Sequence, residues 1–151
     1  MTLFVSLCLL ITEAFWVELR YTEAQVCSVK NGEIRDWLPG SHSARTRVHE
    51  YGLGAIDASA DTLFFSNDAD RAVYALDRND SSALPRRLSL PDTKRRFADL
   101  EFSPQVALLH VSFEINIIVI QYYRLNIISI YFAAESSLRS DGGPFKESRT
   151  L

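Results

Sequence analysis

The sequence predicts an all-β chain of antiparallel strands, and three observations carry that expectation. Short apolar or alternating segments recur about every eight to twelve residues, separated by turn-forming chemistry, as in sheets built from hairpins. Residues 17–21 (Val-Glu-Leu-Arg-Tyr) alternate apolar with charged side chains, the period of a strand with one wet face. Asn31-Gly32 separates two strand-like segments, residues 24–30 and 33–38, and both central positions of a type I′ hairpin turn need positive φ.

Length and charge bound what such a chain does. At 151 residues with 47% hydrophobic content it is the size of one domain with a core of its own. A net charge of -3 with interspersed signs excludes the clustered basic footprint of a nucleic-acid binder. Cys8 and Cys27 form neither a disulfide framework nor a CxxC ligand pair. The apolar run of residues 3–11 has the length of a signal-peptide core, and Thr12-Glu13-Ala14 has a cleavage-site composition, but no Lys or Arg precedes it. A strand is the preferred reading, with a cytoplasmic location. Secretion is the alternative, and only then does the sequon at Asn79-Asp80-Ser81 matter.

In chain order, residues 15–21 form the first clear strand, and the Asn31-Gly32 hairpin follows, closed by Pro39-Gly40-Ser41. Residues 44–55 (Ala-Arg-Thr-Arg-Val-His-Glu-Tyr-Gly-Leu-Gly-Ala) then read as a charged loop rising through a glycine-containing turn into a strand. The chain reverses at Ala60-Asp61 and returns as the apolar strand of residues 62–66. Beyond the polar turn of residues 67–71, residues 72–77 form a strand, residues 85–90 a further one, and residues 96–104 the next.

Residues 45–55 resemble the signature that opens a propeller blade in prolyl oligopeptidase-type serine peptidases, the acylaminoacyl-peptidase and dipeptidyl-peptidase branch. That signature is R-[ST]-R-V-H-E-Y-G-G-G-A followed by D-T-L-F-F-x-N, and this chain departs from its first part only at Leu53, where the family has glycine. Phe15 to Arg20 resembles the family's W-x-E-x-R strand, and V-Y-A-L-D, P-R-R-L-S and R-F-A-D-L-E-F-S-P follow in the family's order up to Pro104. The resemblance implies an incomplete β-propeller of two to three blades, since closure takes about four to eight. In the complete family the propeller screens peptide access to a Ser-Asp-His site in an α/β-hydrolase domain. That chemistry needs a G-x-S-x-G elbow, and none of the six glycines begins one. Nor is there an HGGG-type oxyanion loop to serve His42, His49 or His110. The chain as given is therefore expected to be non-catalytic, with peptide as a partner only within a full-length peptidase, no nucleic acid and no membrane.

Candidate contacts to a peptide terminus are Arg47, His49, Glu50 and Tyr51, with Glu50 taking an amine and Arg47 a carboxylate through charge-assisted bonds. The competing reading gives the cluster, Arg45 included, a structural role: Arg47 and Glu50 pair with each other or with backbone, Tyr51 packs and His49 caps the corner. Trp16 and Trp37 read as packing material. A zincin site fails because H-E-x-x-H would need histidine where Leu53 stands. Asn67-Asp68-Ala69-Asp70 lacks the glycine and terminal glutamate of a calcium loop, and no glycine pattern for nucleotide binding occurs. No metal or cofactor is expected.

The expected organisation is an apolar N-terminal segment (1–14), a partial propeller (15–105), a hydrophobic segment of different origin (106–134) and a disordered tail (135–151). The third segment is rich in Ile, Asn, Tyr and Phe, whose codons are A/T-rich, consistent with translated non-coding sequence or a misjoined exon. As a membrane span it is broken by Arg124, and its charge-free stretches fall short of the required ~20 residues. As structure it would form a hydrophobic hairpin around residues 122–126. Two alternatives to the peptidase reading are a stand-alone TolB-like propeller that binds a protein partner, and a truncated or mispredicted product without function.

Overall fold

The computed structural model describes residues 3–48, 54–89, 95–105, 107–115, 126–131 and 147–149. It is all-β, and its strands form three four-stranded antiparallel sheets that do not close on one another. Each sheet is a simple meander. The first contains β1 (Leu3–Leu9), β2 (Ala14–Arg20), β3 (Glu23–Lys30) and β4 (Glu33–Asp36). The second contains β5 (Ile56–Ala58), β6 (Thr62–Ser66), β7 (Val73–Asp77) and β8 (Arg86–Arg87). The third contains β9 (Arg95–Ser103), β10 (Leu108–Ile115), β11 (Asn126–Tyr131) and β12 (Glu147–Arg149). Among the described residues no helix is long and apolar enough to cross a membrane.

Local chemistry explains the hairpins. Asn31 and Gly32 sit at φ 52° and 83°, as the I′ turn between β3 and β4 requires. The β5–β6 reversal is held by Ser59, whose amide bonds the Thr62 carbonyl while its hydroxyl accepts from the Thr62 amide at 3.0 Å. Residues 85–90 give a strand of only two residues. Pro85 has no N–H to donate, and the amides of Leu88 and Ser89 both converge on the Val73 carbonyl, so the ladder stops there.

Packing is sheet on sheet, with the second sheet in the middle. Because strand side chains alternate, adjacent phenylalanines on β6 face opposite ways. Phe65 joins Phe15, Val17, Val26, Trp37 and Leu63 in the core between the first and second sheets. Phe64 joins Val73, Phe97, Leu100, Leu109 and Val111 in the core between the second and third. The opening strands of the three sheets gather around one carboxylate: Asp57 on β5 accepts from the Cys8 thiol (3.2 Å) on β1 and from the Phe102 amide (2.6 Å) on β9.

A buried ion pair fastens the first two sheets. Arg78 bonds Glu13 at 2.5 Å, with both side chains under a tenth exposed, and also reaches the carbonyls of Ser59 and Ala60. Its guanidinium lies 4.6 Å from the Phe15 ring centroid and 5.5 Å from that of Trp37. The Trp37 indole donates to the Ser28 hydroxyl at 2.9 Å. Arg35 covers Trp37 at 3.9 Å from the ring centroid.

Gly54 explains why the corner at the end of the signature is tight. It has φ +69°, and a Cβ there would stand 2.6 Å from the backbone nitrogen of Asp99. Asp99 itself has φ 52°, at a register break where β9 bulges against β10. The Leu100 amide closes the contact on the Gly54 carbonyl at 3.3 Å. Gly52 and Leu53 lie outside the described residues.

Candidate functional site

Residues 43–48 leave the first sheet and run to the second along a path fixed by backbone hydrogen bonds. The Ala44 amide bonds the Ala24 carbonyl (2.8 Å) on β3, and the Arg45 amide bonds the Ser66 carbonyl (3.0 Å) on β6. Asn67 organises the far side: its side-chain oxygen accepts from the Ser43 amide, and its nitrogen donates to Asp70 at 2.8 Å. Asp70 also accepts from the Tyr74 hydroxyl (2.6 Å) and the Ala72 amide (3.3 Å). Burial pushes Asp70 up, but the hydrogen bonds from Tyr74, Asn67 and Ala72 and the charge of Arg87 together hold it below the usual aspartate value. Residues 67–71 are thus a turn in which the Asp70 carboxylate is spent on neighbouring groups of the turn and β7.

Between this turn, the loop and β9 lies a small open cleft. Its walls carry Arg45, Arg47, Arg71 and Arg96 beside Asp68, with Ser66 and Phe97 at the floor. Arg47 forms a two-pronged ion pair with Asp68, Nε to Oδ1 at 2.7 Å and Nη2 to Oδ2 at 3.2 Å. The pairing with Asp68 raises the Arg47 pKa above its usual value. Arg96 donates from Nη1 to the Arg47 carbonyl at 3.0 Å, and its Nε is buried without a hydrogen-bond partner. The Ser66 hydroxyl donates to the Phe97 carbonyl at 2.8 Å, tying the floor to the third sheet.

Of the residues chosen from sequence, only Arg47 falls within the described structure, where Asp68 occupies its fork. His49, Glu50 and Tyr51 lie outside the described residues. Arg71 and Arg96 reach the cleft from a turn and from β9, and no local spacing pattern flags them. His42 packs edge-on against Phe65 and Tyr74, with centroids 5.9 and 5.2 Å away. Its Nδ1 meets the neighbouring Ser41 hydroxyl at 3.0 Å on an exposed loop. His110 lies on β10 opposite Glu101. Among the described residues no group of three or more His, Cys, Asp and Glu side chains is placed to hold a metal.

The two thiols are electrostatically quiet. Burial, then the hydrogen bond to Asp57, pushes Cys8 up to about 11. Burial and the Asp36 carboxylate push Cys27 up to about 12, despite Arg20 alongside. Arg20 bonds Asp36 at 2.6 Å and Glu18 at 3.3 Å, which depresses both carboxyl groups. Thiols this basic are poor nucleophiles at neutral pH.

Among solved structures the chain is similar to a Mycobacterium tuberculosis puromycin-hydrolyzing peptidase, with a TM-score of 0.71 and 23% identity over 98% of this chain. It spans 24% of that chain, about a quarter of its length. A likeness at this identity is a likeness of fold. No family model matches the chain, and no curated protein matches it either.

Proposed function

We propose that this chain is a non-catalytic, propeller-type portion of a serine-peptidase-like hydrolase, whose full-length form screens peptide access to a Ser-Asp-His site. The observation that carries this reading is the arrangement of the sheets. Three consecutive four-stranded meanders stack face to face, and their first strands converge on Asp57. That is how blades are set around a central channel. The fold likeness to a quarter of a puromycin-hydrolyzing peptidase supports the same reading, as does the order of the blade-like motifs from Phe15 to Pro104. A rival of another class is a TolB-like propeller that binds a protein partner, for which the same stacking would serve.

Two measurements test the proposal. The purified chain should neither hydrolyse peptide nitroanilides nor be labelled by a fluorophosphonate, because it offers no G-x-S-x-G serine. Turnover that the label abolishes would overturn the non-catalytic assignment. The gene locus decides between the peptidase and the partner-binding rival: a G-x-S-x-G coding segment downstream, followed by Asp and His, fits the former, and its absence the latter.

A further inference from the structure

We propose that Ser89 is a phosphorylation site for a basophilic serine/threonine protein kinase. Arg86-Arg87-Leu88-Ser89 sets two arginines three and two positions before a serine, the charge pattern that a kinase with an acidic substrate groove selects. The fold puts this segment where such an enzyme can take hold of it. Among the described strands β8 is an edge of the second sheet, and its pairing with β7 is limited to Arg86 and Arg87. So short an edge opens locally at small cost, and its backbone is already extended, a form in which chains enter peptide-binding grooves. Arg86 is exposed. Arg87 stands 3.8 Å from Asp70, with both side chains one-third exposed, a weak ion pair that a kinase carboxylate can replace. Ser89 is half-buried where β8 leaves β7. Its hydroxyl accepts from the Val73 amide at 3.1 Å, which uses an oxygen lone pair and leaves the proton for transfer. Leu88 is buried, so the segment must lift from β7 before transfer, and the folded chain should react more slowly than a free peptide. Ser81 offers the contrast. It too follows an arginine by three positions and is exposed, but that arginine is Arg78, buried in its ion pair with Glu13. In the transfer, Ser89 Oγ attacks the γ-phosphorus of magnesium-bound ATP and the bond from that phosphorus to the β,γ-bridging oxygen breaks. ADP leaves with the electron pair, and the hydroxyl proton passes to the kinase's catalytic carboxylate. The site stands apart from the peptidase-type reading, whose own test is the fluorophosphonate label.

Incubation of the full chain with Mg-ATP and the catalytic subunit of cyclic-AMP-dependent protein kinase tests it, with fragmentation mass spectrometry locating the phosphate. A synthetic peptide of residues 84–90 is the reference for the motif freed from the fold. The folded chain should carry phosphate at Ser89, and total incorporation should fall in Ser89→Ala. Because that change also removes the acceptor of the Val73 amide, Arg86→Gln, at an exposed position, is the second variant. It should slow incorporation at least about tenfold, the loss expected for one charge-assisted hydrogen bond, with the melting temperature unchanged. Ser81→Ala should leave the rate as it is. Phosphate on Ser81 but not Ser89, an undiminished total in Ser89→Ala, or an Arg86→Gln rate equal to that of the unaltered chain each overturn the proposal. So does a folded chain that takes up no phosphate, whether or not the peptide reacts.

Discussion

At the scale of single residues, the described structure rests on a few positions whose chemistry is hard to replace. Gly54→Ala should destabilise the fold by about 2 kcal/mol or more, because left-handed φ is costly for alanine and the new methyl meets the Asp99 backbone. Urea unfolding checks it, and an unchanged midpoint would refute the close approach. Arg78→Met should cost about 3–5 kcal/mol, since Glu13 would be left as a buried charge without its partner. Replacing both members together should recover part of that loss in the same assay. The thiols set an alkaline limit. Their folded values of about 11 and 12 lie above the ordinary 9.0, so the folded state holds protons that the unfolded state releases. This contribution is complete below pH 9 and falls as pH rises through 11 and 12. A series of urea midpoints from pH 8 to 11 should therefore decline, and Cys27→Ala should flatten the decline.

At the scale of elements, β6 separates two interfaces by one residue of register. Phe64→Ala and Phe65→Ala should each cost about 3–5 kcal/mol, because both rings are fully buried. Their structural effects should differ. Loss of Phe65 should loosen amide protection across the first and second sheets, and loss of Phe64 across the second and third, as read by hydrogen exchange. Equal effects on both interfaces would contradict the alternation. Most elements up to Ser103 were legible in the sequence, since Asn31-Gly32, the Ala60-Asp61 reversal and the polar 67–71 turn punctuate it. The shortness of β8 was less so, because the pattern of residues 85–90 shows apolar content but not which carbonyls remain free on β7. Beyond Ser103, the strand pairing with β9 is β10, Leu108–Ile115, and its other partner is β11, Asn126–Tyr131. The hairpin that the sequence suggests bends around residues 122–126, of which 122–125 lie outside the described residues.

At the scale of the whole molecule, the second sheet is covered on both faces while the first is covered on one. Register places Leu7 with Trp16, and Leu9 with Ala14, Val29 and Ile34, on the face turned away from the second sheet. Leu7, Leu9 and Ile34 are each about two-thirds exposed. An apolar sheet face of this kind associates. Leu9→Lys with Ile34→Lys should raise the monomeric fraction in light scattering behind size-exclusion chromatography, whereas no change would mean that association uses another surface. The Arg20–Asp36–Glu18 cluster and Cys27 lie on this same face and give it a charged border.

What the sequence determined by itself was local: strand after strand, reversed at turns whose chemistry leaves little choice, and a core made from alternate side chains. It also located the glycine corner. Tertiary structure alone decided which distant groups meet. Arg47 spends its fork on Asp68, 21 positions away, and Arg96 arrives at the same cleft from a strand 49 positions further along. Periodicity reports which face of a strand is buried, but not which other strand's charge will stand opposite. That depends on how whole sheets stack, and the stacking is set by apolar area that carries no information about the arginines at its margin.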